Sequence, residues 1–285
     1  MKVYRFWVKG STRVPFKGKV WTVAVFGSSN ESPEDAHRDA DERAEELRRR
    51  MLTGEWPDTY GYGDRPLREE VKREVHRGDE LAAVITRNAA GCLVLNTARV
   101  MFIDMDVPPE PFNLGIVDAI YRLFGKPAPS EVARDSRHRE RMERIRERAT
   151  MYGLGMRVYR TPRGYRGLVT SHTFDPTSEE TLALLDAFDS DKLYIRLCRV
   201  QECFRARLTP KPYRMRMRHP PRHFPWRDAQ LEAEYRAWER DYEAKREGFS
   251  ACAFIEHTGN GSIIREIRDI VDLHDSIACT GHELA

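Results

Sequence analysis

Two aspartates separated by one residue close the apolar run Val100-Met-Phe-Ile-Asp-Met-Asp106. Side chains alternate along an extended strand, so Asp104 and Asp106 emerge on one face. Paired carboxylates at a strand end are hard-oxygen ligands for Mg²⁺ or Mn²⁺, which leave positions open for phosphate oxygens. Metal-assisted phosphoryl or nucleotidyl transfer requires such ligands, together with cations for the charged substrate. A DxD by itself also serves glycosyltransferases and nucleases, and many strand ends carry solvated aspartates. Its place directly after four apolar residues argues for a built site.

Further residues extend the set. Thr170-Ser171-His172 follows a strand-like run, and a histidine there can donate to a phosphate oxygen. Asp191, just before Leu193–Leu197, is a candidate third metal ligand, with Asp189 its rival. From Phe204 to Trp226 the chain carries Arg205, Arg207, Lys211, Arg214, Arg216, Arg218 and Arg222 and no acid. Tyr213, Phe224 and Trp226 interleave with them, a composition suited to phosphate contacts and base stacking. The plain alternative is a solvated basic loop. Cys198, Cys203, Cys252 and His257 are weak as a zinc set, because their spacing is not that of known zinc modules. His274-Asp275 resembles half of a metal phosphohydrolase pair, but without partner histidines it reads as helix surface.

These residues need elements to position them. Lys2–Val8, Lys19–Gly27, Leu81–Arg87, Cys92–Asn96 and Arg99–Asp106 read as strands, as do Arg157–Arg160, Arg166–Thr170, Leu193–Leu197, Phe204–Leu208 and Ser250–Glu256. Thr161-Pro-Arg-Gly164 is a hairpin turn and Asn88-Ala-Ala-Gly91 a second short connection. Ser32-Pro-Glu-Asp opens a helix whose thin apolar face is Ala36, Ala40, Ala44, Leu47 and Met51. A short helix carries Ile116, Ile120, Leu123 and Phe124 after a break at Pro108–Pro111, and Ser130–Ala149 is a charged helix laced with i,i+4 pairs. Asp175-Pro176 opens another helix, Leu231, Tyr235, Trp238 and Tyr242 mark the face of a long one, and Ile264, Ile267, Val271 and His274 share the face of the last. Trp56–Arg65 is a turn-rich loop. Strands and helices interleave throughout, which indicates an α+β fold in two lobes, 1–128 and 129–285.

Composition narrows the class. The chain has 285 residues, 40% hydrophobic and 33% charged, with a net charge of +3, so any electrostatic footprint comes from clustering. No apolar run reaches the ~18 residues of a membrane span, and the N-terminus has no signal-like core. Five cysteines without a CxxC suit reduced thiols in a cytoplasmic protein.

The order of these parts resembles the archaeo-eukaryotic primase superfamily, in particular small primase-polymerase-like proteins. Phe102-Ile-Asp-Met-Asp106 matches its first motif and Thr170-Ser-His172 its second, with Thr170 in place of serine. Asp191 stands for the third, only 19 residues past His172 and without the usual preceding apolar residue. Arg205-Ala-Arg-Leu-Thr-Pro-Lys-Pro-Tyr-Arg214 resembles the basic segment that follows. The resemblance spans Leu81 to Arg214. It implies a primase-like catalytic core, an RRM-like sheet module packed against an αβ unit. In such a core Asp104, Asp106 and Asp191 would hold Mg²⁺ or Mn²⁺, and His172 and Ser171 would contact the phosphates of a nucleoside triphosphate. Arg163, Arg166, Arg205, Arg207 and Lys211 would touch phosphate or template. Single-stranded DNA or RNA would be the partner, with a helicase or other replication or defence protein supplying what the chain lacks. A catalytically silent nucleic-acid-binding module, and a DxD glycosyltransferase or nuclease, are the alternatives.

Overall fold

The computed structural model describes residues 1–16, 19–54, 67–107 and 115–285. The expected loop at Trp56–Arg65 and the break at Pro108–Pro111 lie outside the described residues. In chain order the elements are β1 (Phe6–Phe16), β2 (Lys19–Ser29), α1 (Pro33–Leu52), β3 (Glu70–Arg77), β4 (Glu80–Arg87), β5 (Leu93–Thr97) and β6 (Phe102–Asp106). There follow α2 (Gly115–Leu123), α3 (Pro129–Met151), β7 (Met156–Thr161), β8 (Gly164–Val169), α4 (Glu179–Ala187), α5 (Lys192–Gln201) and β9 (Phe204–Arg207). The last are α6 (Ala229–Arg246), β10 (Phe249–Ser250), β11 (Ala253–Thr258), α7 (Arg265–Ala278) and β12 (Glu283–Leu284), with a 3₁₀ turn at Pro212–Met215. With 40% helix and 28% strand in small, chiefly antiparallel sheets, the protein is mixed α and β. Among the described residues no helix is long and apolar enough to cross a membrane.

Two compact units form, but not by a cut near residue 128. One comprises Met1–Ala98 with Val200–Gly248, the other Arg99–Arg199 with Phe249–Ala285. Strand pairing explains the interleaving: β9 joins β5 in the first unit's sheet, and β11 joins β7 in the second's.

In the first unit β1 and β2 form an eleven-residue antiparallel ribbon against which α1 packs its alanine face. That approach is close enough that a Cβ on Gly27 would meet the Ala36 carbonyl at 2.1 Å. A four-stranded antiparallel sheet, β3-β4-β5-β9, is covered by the buried Tyr235, Trp238 and Tyr242 of α6. Sequence reading missed β3, since Val71 and Val75 sit among charges, as suits an edge strand that discourages further pairing.

In the second unit the sheet runs β11-β7-β8-β6, all antiparallel. Opposed residues in such a sheet share a face, so Tyr159, Arg166 and Asp104 lie on one side and Arg160 and Tyr165 on the other. α7 covers the first face: His274 packs on Phe102 and Tyr159, with ring centroids 5.4 and 4.8 Å apart. α3 covers the second, where His138 meets Arg160 and Tyr165 and Arg146 is paired with Glu256. The expected strand at Leu193–Leu197 is helix instead. Asp191 caps it, and the buried Tyr194, Cys198 and Gln201 follow the helical rather than the two-residue period. Helix α4 starts three residues later than expected, capped by Ser178 rather than opened by Asp175-Pro176.

Candidate functional site

Strand β6 is the edge of its sheet, and its burial alternates as the sequence predicts. Ile103 and Met105 are buried, Asp104 is half-buried and Asp106 is exposed. Asp106 stands opposite Gly164, where a Cβ would lie 2.1 Å from the Met105 carbonyl, so glycine permits the close approach of β8. The adjoining turn brings Arg163 to this end. Its carbonyl accepts the Val107 N–H at 2.8 Å and its side chain is exposed.

The unpaired edge of β6 is closed by the α4–α5 connection. Ser190 Oγ donates to the Asp104 carbonyl at 2.9 Å, and the Asp191 N–H donates to the same oxygen at 3.1 Å. Tyr194 donates its hydroxyl to the Phe102 carbonyl at 2.8 Å. Asp191 Oδ1 accepts the Tyr194 N–H at 2.8 Å, as a helix cap does. Of the two rivals for a third carboxylate, Asp191 is therefore the one held against Asp104. Asp189, at φ 51°, faces α3 and accepts from Arg141 and Arg148 at 2.6 and 2.7 Å. Burial raises the Asp189 carboxyl, but those two arginines outweigh it and hold it below the usual range.

His172 is not part of this edge. Asp104 opposes Arg166 and Phe102 opposes Leu168, so β8 runs away from Asp106 towards His172. β8 ends at Val169, whose N–H donates to the Met101 carbonyl at 3.0 Å, and a bend at Ser171 follows. The pair bond from the Phe174 N–H to the Arg99 carbonyl, 2.9 Å, continues that direction. Histidine and DxD thus occupy opposite ends of the strand pair, contrary to the single constellation expected. Ser171 Oγ accepts the Gly155 N–H at 2.9 Å and is hydrogen-bonded to His172 Nδ1 at 2.7 Å. His172, Phe174 and Tyr152 line a separate cleft of about 630 Å³.

The expected phosphate cations divide. Arg205 belongs to the first unit, where it binds both Glu69 oxygens (2.7 and 2.9 Å) and Asn96 Oδ1 (2.6 Å), so its charge is already matched. Arg207 alternates with it on β9, and Lys211 precedes the 3₁₀ turn; both are half-buried. Trp226, expected to stack bases, packs at 5.0 Å on Tyr235 with the Arg236 guanidinium 4.6 Å from its ring centroid. Arg166 is buried, 5% exposed, and directed into the second unit.

There it meets a cluster that sequence reading did not assemble. Arg166 Nη1 lies 3.1 Å from His274 Nε2 and 3.8 Å from Cys252 Sγ. Cys252 Sγ is 3.8 Å from His274 Nε2 and 3.7 Å from Cys279 Sγ. His274 Nδ1 is 2.8 Å from Asp275 Oδ1, which also accepts from Tyr159 at 2.7 Å, while Arg157 donates to Oδ2 at 2.7 Å. A carboxylate only accepts and a guanidinium only donates, so His274 carries its proton on Nδ1 and a lone pair on Nε2. The hydrogen bond from Cys279, together with the nearby Arg166 charge, lowers the Cys252 thiol, and the same bond raises Cys279.

His274 is fully buried, not helix surface. Its position seven residues past Ile267 and four past Ile270 already placed it on the inner face of α7. Cys279, one turn further on, carried no such signal. Among the described residues, Cys252, His274 and Cys279 are the group of metal-type donors that gathers within 4.8 Å, a set that could hold a metal ion. Asp104, Asp106 and Asp191 share one edge without converging to that degree. The zinc set weighed from sequence dissolves: His257 is bound to Thr170 Oγ1 at 2.8 Å, and of the four only Cys252 enters the cluster.

No protein-family model matches the chain, and no curated protein and no solved structure matches it.

Proposed function

We propose that the unit built from 99–199 and 249–285 is a metal-dependent nucleotidyltransferase of primase-polymerase type, acting on nucleoside triphosphates and single-stranded nucleic acid. The observation that supports it most is the acidic edge. Asp104 and Asp106 share one face of β6, Asp191 is fixed at the Asp104 carbonyl, and Arg163 is exposed at the same end. This donor set, all carboxylate oxygen, suits Mg²⁺ or Mn²⁺ in its chemistry, and Asp104 and Asp106 would hold the ion. Bound there, the cation would offset the charge of a triphosphate. Arg163 would clamp a phosphate through its guanidinium fork. Ser190 and Asp191 would keep β6 from pairing with another strand and so keep its aspartates in register. His172 and Ser171 fall outside the reacting centre in this reading and would contact bound chain from their own cleft.

The test is labelled-nucleotide incorporation on single-stranded DNA with Mg²⁺ or Mn²⁺, comparing wild type with Asp104→Ala and Asp106→Ala. Product from wild type, lost at least 100-fold in either variant, is the expected result. Equal synthesis by wild type and variants would refute it.

A second reading is favoured by the spread of the three carboxylates: a silent module that binds nucleic acid without transfer. It expects no product, with salt-sensitive binding indifferent to Asp104 and Asp106.

A further inference from the structure

The Cys252–His274–Cys279 cluster lies on the covered face of the second sheet and is not used by the reading above. We propose that these three side chains form a zinc site, with Asp275 as the outer carboxylate that orients His274.

Geometry carries the inference. Tetrahedral zinc with Zn–S near 2.3 Å and Zn–N near 2.0–2.1 Å requires sulfur–sulfur and sulfur–nitrogen edges of about 3.8 and 3.6 Å. Two of the three edges are 3.7 Å, between the sulfurs, and 3.8 Å, from Cys252 Sγ to His274 Nε2, and the third, from Cys279 Sγ to His274 Nε2, lies within 4.8 Å. Two thiols in ordinary van der Waals contact would also stand this close, so the outer partners matter. A zinc-bound histidine almost always donates its other ring nitrogen to a carboxylate or carbonyl. His274 does so to Asp275, and Asp275 is itself held by Tyr159 and Arg157. The Nε2 lone pair is thereby turned towards the sulfurs.

Softness selects the ion. Two thiolates and an imidazole favour zinc over Mg²⁺ or Mn²⁺, which prefer oxygen. Two thiolates balance the dication, and the Arg166 guanidinium beside Cys252 favours the thiolate form. On loading, zinc takes the Nε2 lone pair that Arg166 now contacts, and the thiol protons leave to solvent. Arg166 keeps its N–H directed at the Cys252 sulfur. Three protein donors leave the fourth vertex to water or to a donor carried by a ligand. The inference is independent of the nucleotidyl-transfer reading, because none of Asp104, Asp106 or Asp191 takes part.

The test uses the full chain purified under reducing conditions without chelator. Zinc is counted by mass spectrometry of the metal, and the stripped protein is titrated with Zn²⁺ against a chromophoric chelator and with Co²⁺ by absorption. Expected are about one zinc per chain and a cobalt–thiolate charge-transfer band. Cys279→Ser should weaken zinc binding at least 100-fold, whereas Cys92→Ser should leave it unchanged. Asp275→Asn keeps the side-chain shape and should weaken affinity about 10–100-fold, which keeps the test decisive if Cys279→Ser fails to fold. The proposal falls if reduced wild type binds neither ion, if Cys279→Ser and Cys92→Ser bind alike, or if Asp275→Asn has wild-type affinity. It also falls if the two sulfurs are recovered as a disulfide that excludes metal.

Discussion

Both four-stranded sheets bury an arginine, and they give it different company. In the first unit Arg87, 3% exposed, donates to the Gly91 carbonyl at 2.8 Å and to Glu243 at 2.5 Å, and it lies 2.9 Å from Glu239. Arg205 is similarly matched by Glu69. In the second unit Arg166 is directed at an imidazole nitrogen and a thiol. Hard ion pairs consume the lone pairs they use and tie helix to sheet. Arg166 also occupies a lone pair, that of His274 Nε2, but it faces donors that a metal can take over, so one buried arginine serves architecture and the other sits beside latent chemistry.

The contrast can be broken by mutation. The largest effect is expected from Arg87→Ala, which leaves Glu243 with Arg246 alone and Glu239 with Lys72 and Arg236. The loss should approach the ~3–5 kcal/mol of a broken buried pair, read by urea unfolding. A loss below about 1 kcal/mol would show that the network is dispensable.

Acid should act on both units. Burial raises the carboxyls of Glu239 and Asp275, but Lys72 and Arg236 outweigh it at Glu239, and His274 and Tyr159 at Asp275, so both sit below their usual range. A carboxyl depressed in the folded state adds stability above its unfolded value and loses it as pH falls through the folded one. Thermal stability should therefore fall steadily as pH drops below the ordinary carboxylate range. Asp275→Asn should flatten the part of that slope belonging to the second unit, and an unchanged slope would count against its role.

Smaller effects sharpen the edge. Ser190→Ala removes the hydroxyl that serves the Asp104 carbonyl and should cost about 1 kcal/mol of stability. Arg163→Ala, at an exposed turn, should change stability by less than about 0.5 kcal/mol while weakening triphosphate binding. Unchanged binding in equilibrium titration would remove Arg163 from the proposed site.

Much of the local structure was legible. The Ser32 cap, the alanine face of α1, the aromatic face of α6 and the alternation across Asp104 and Asp106 all follow from periodicity and capping. Leu193–Leu197 misled because five apolar-rich residues fit either period, and only the cap at Asp191 decides for helix. Arg205 looked unmatched because its acid, Glu69, lies 136 residues away. His172 looked close to the aspartates because motif order carries no information about which end of a strand pair a residue occupies. The cysteine cluster joins a strand edge to the end of the last helix, and residue spacing holds no signature for that.

The way β11 completes its sheet bears on synthesis of the chain. A nascent chain emerging from the ribosome presents β7 and β8 as a hairpin with one long edge bare, and the strand that covers β7 appears only after α6 has been made. Until then an open edge that other strands can pair with is exposed. The second unit should therefore acquire protease resistance only once 249–285 has been made, and shortened chains lacking 249–285 should aggregate rather than fold.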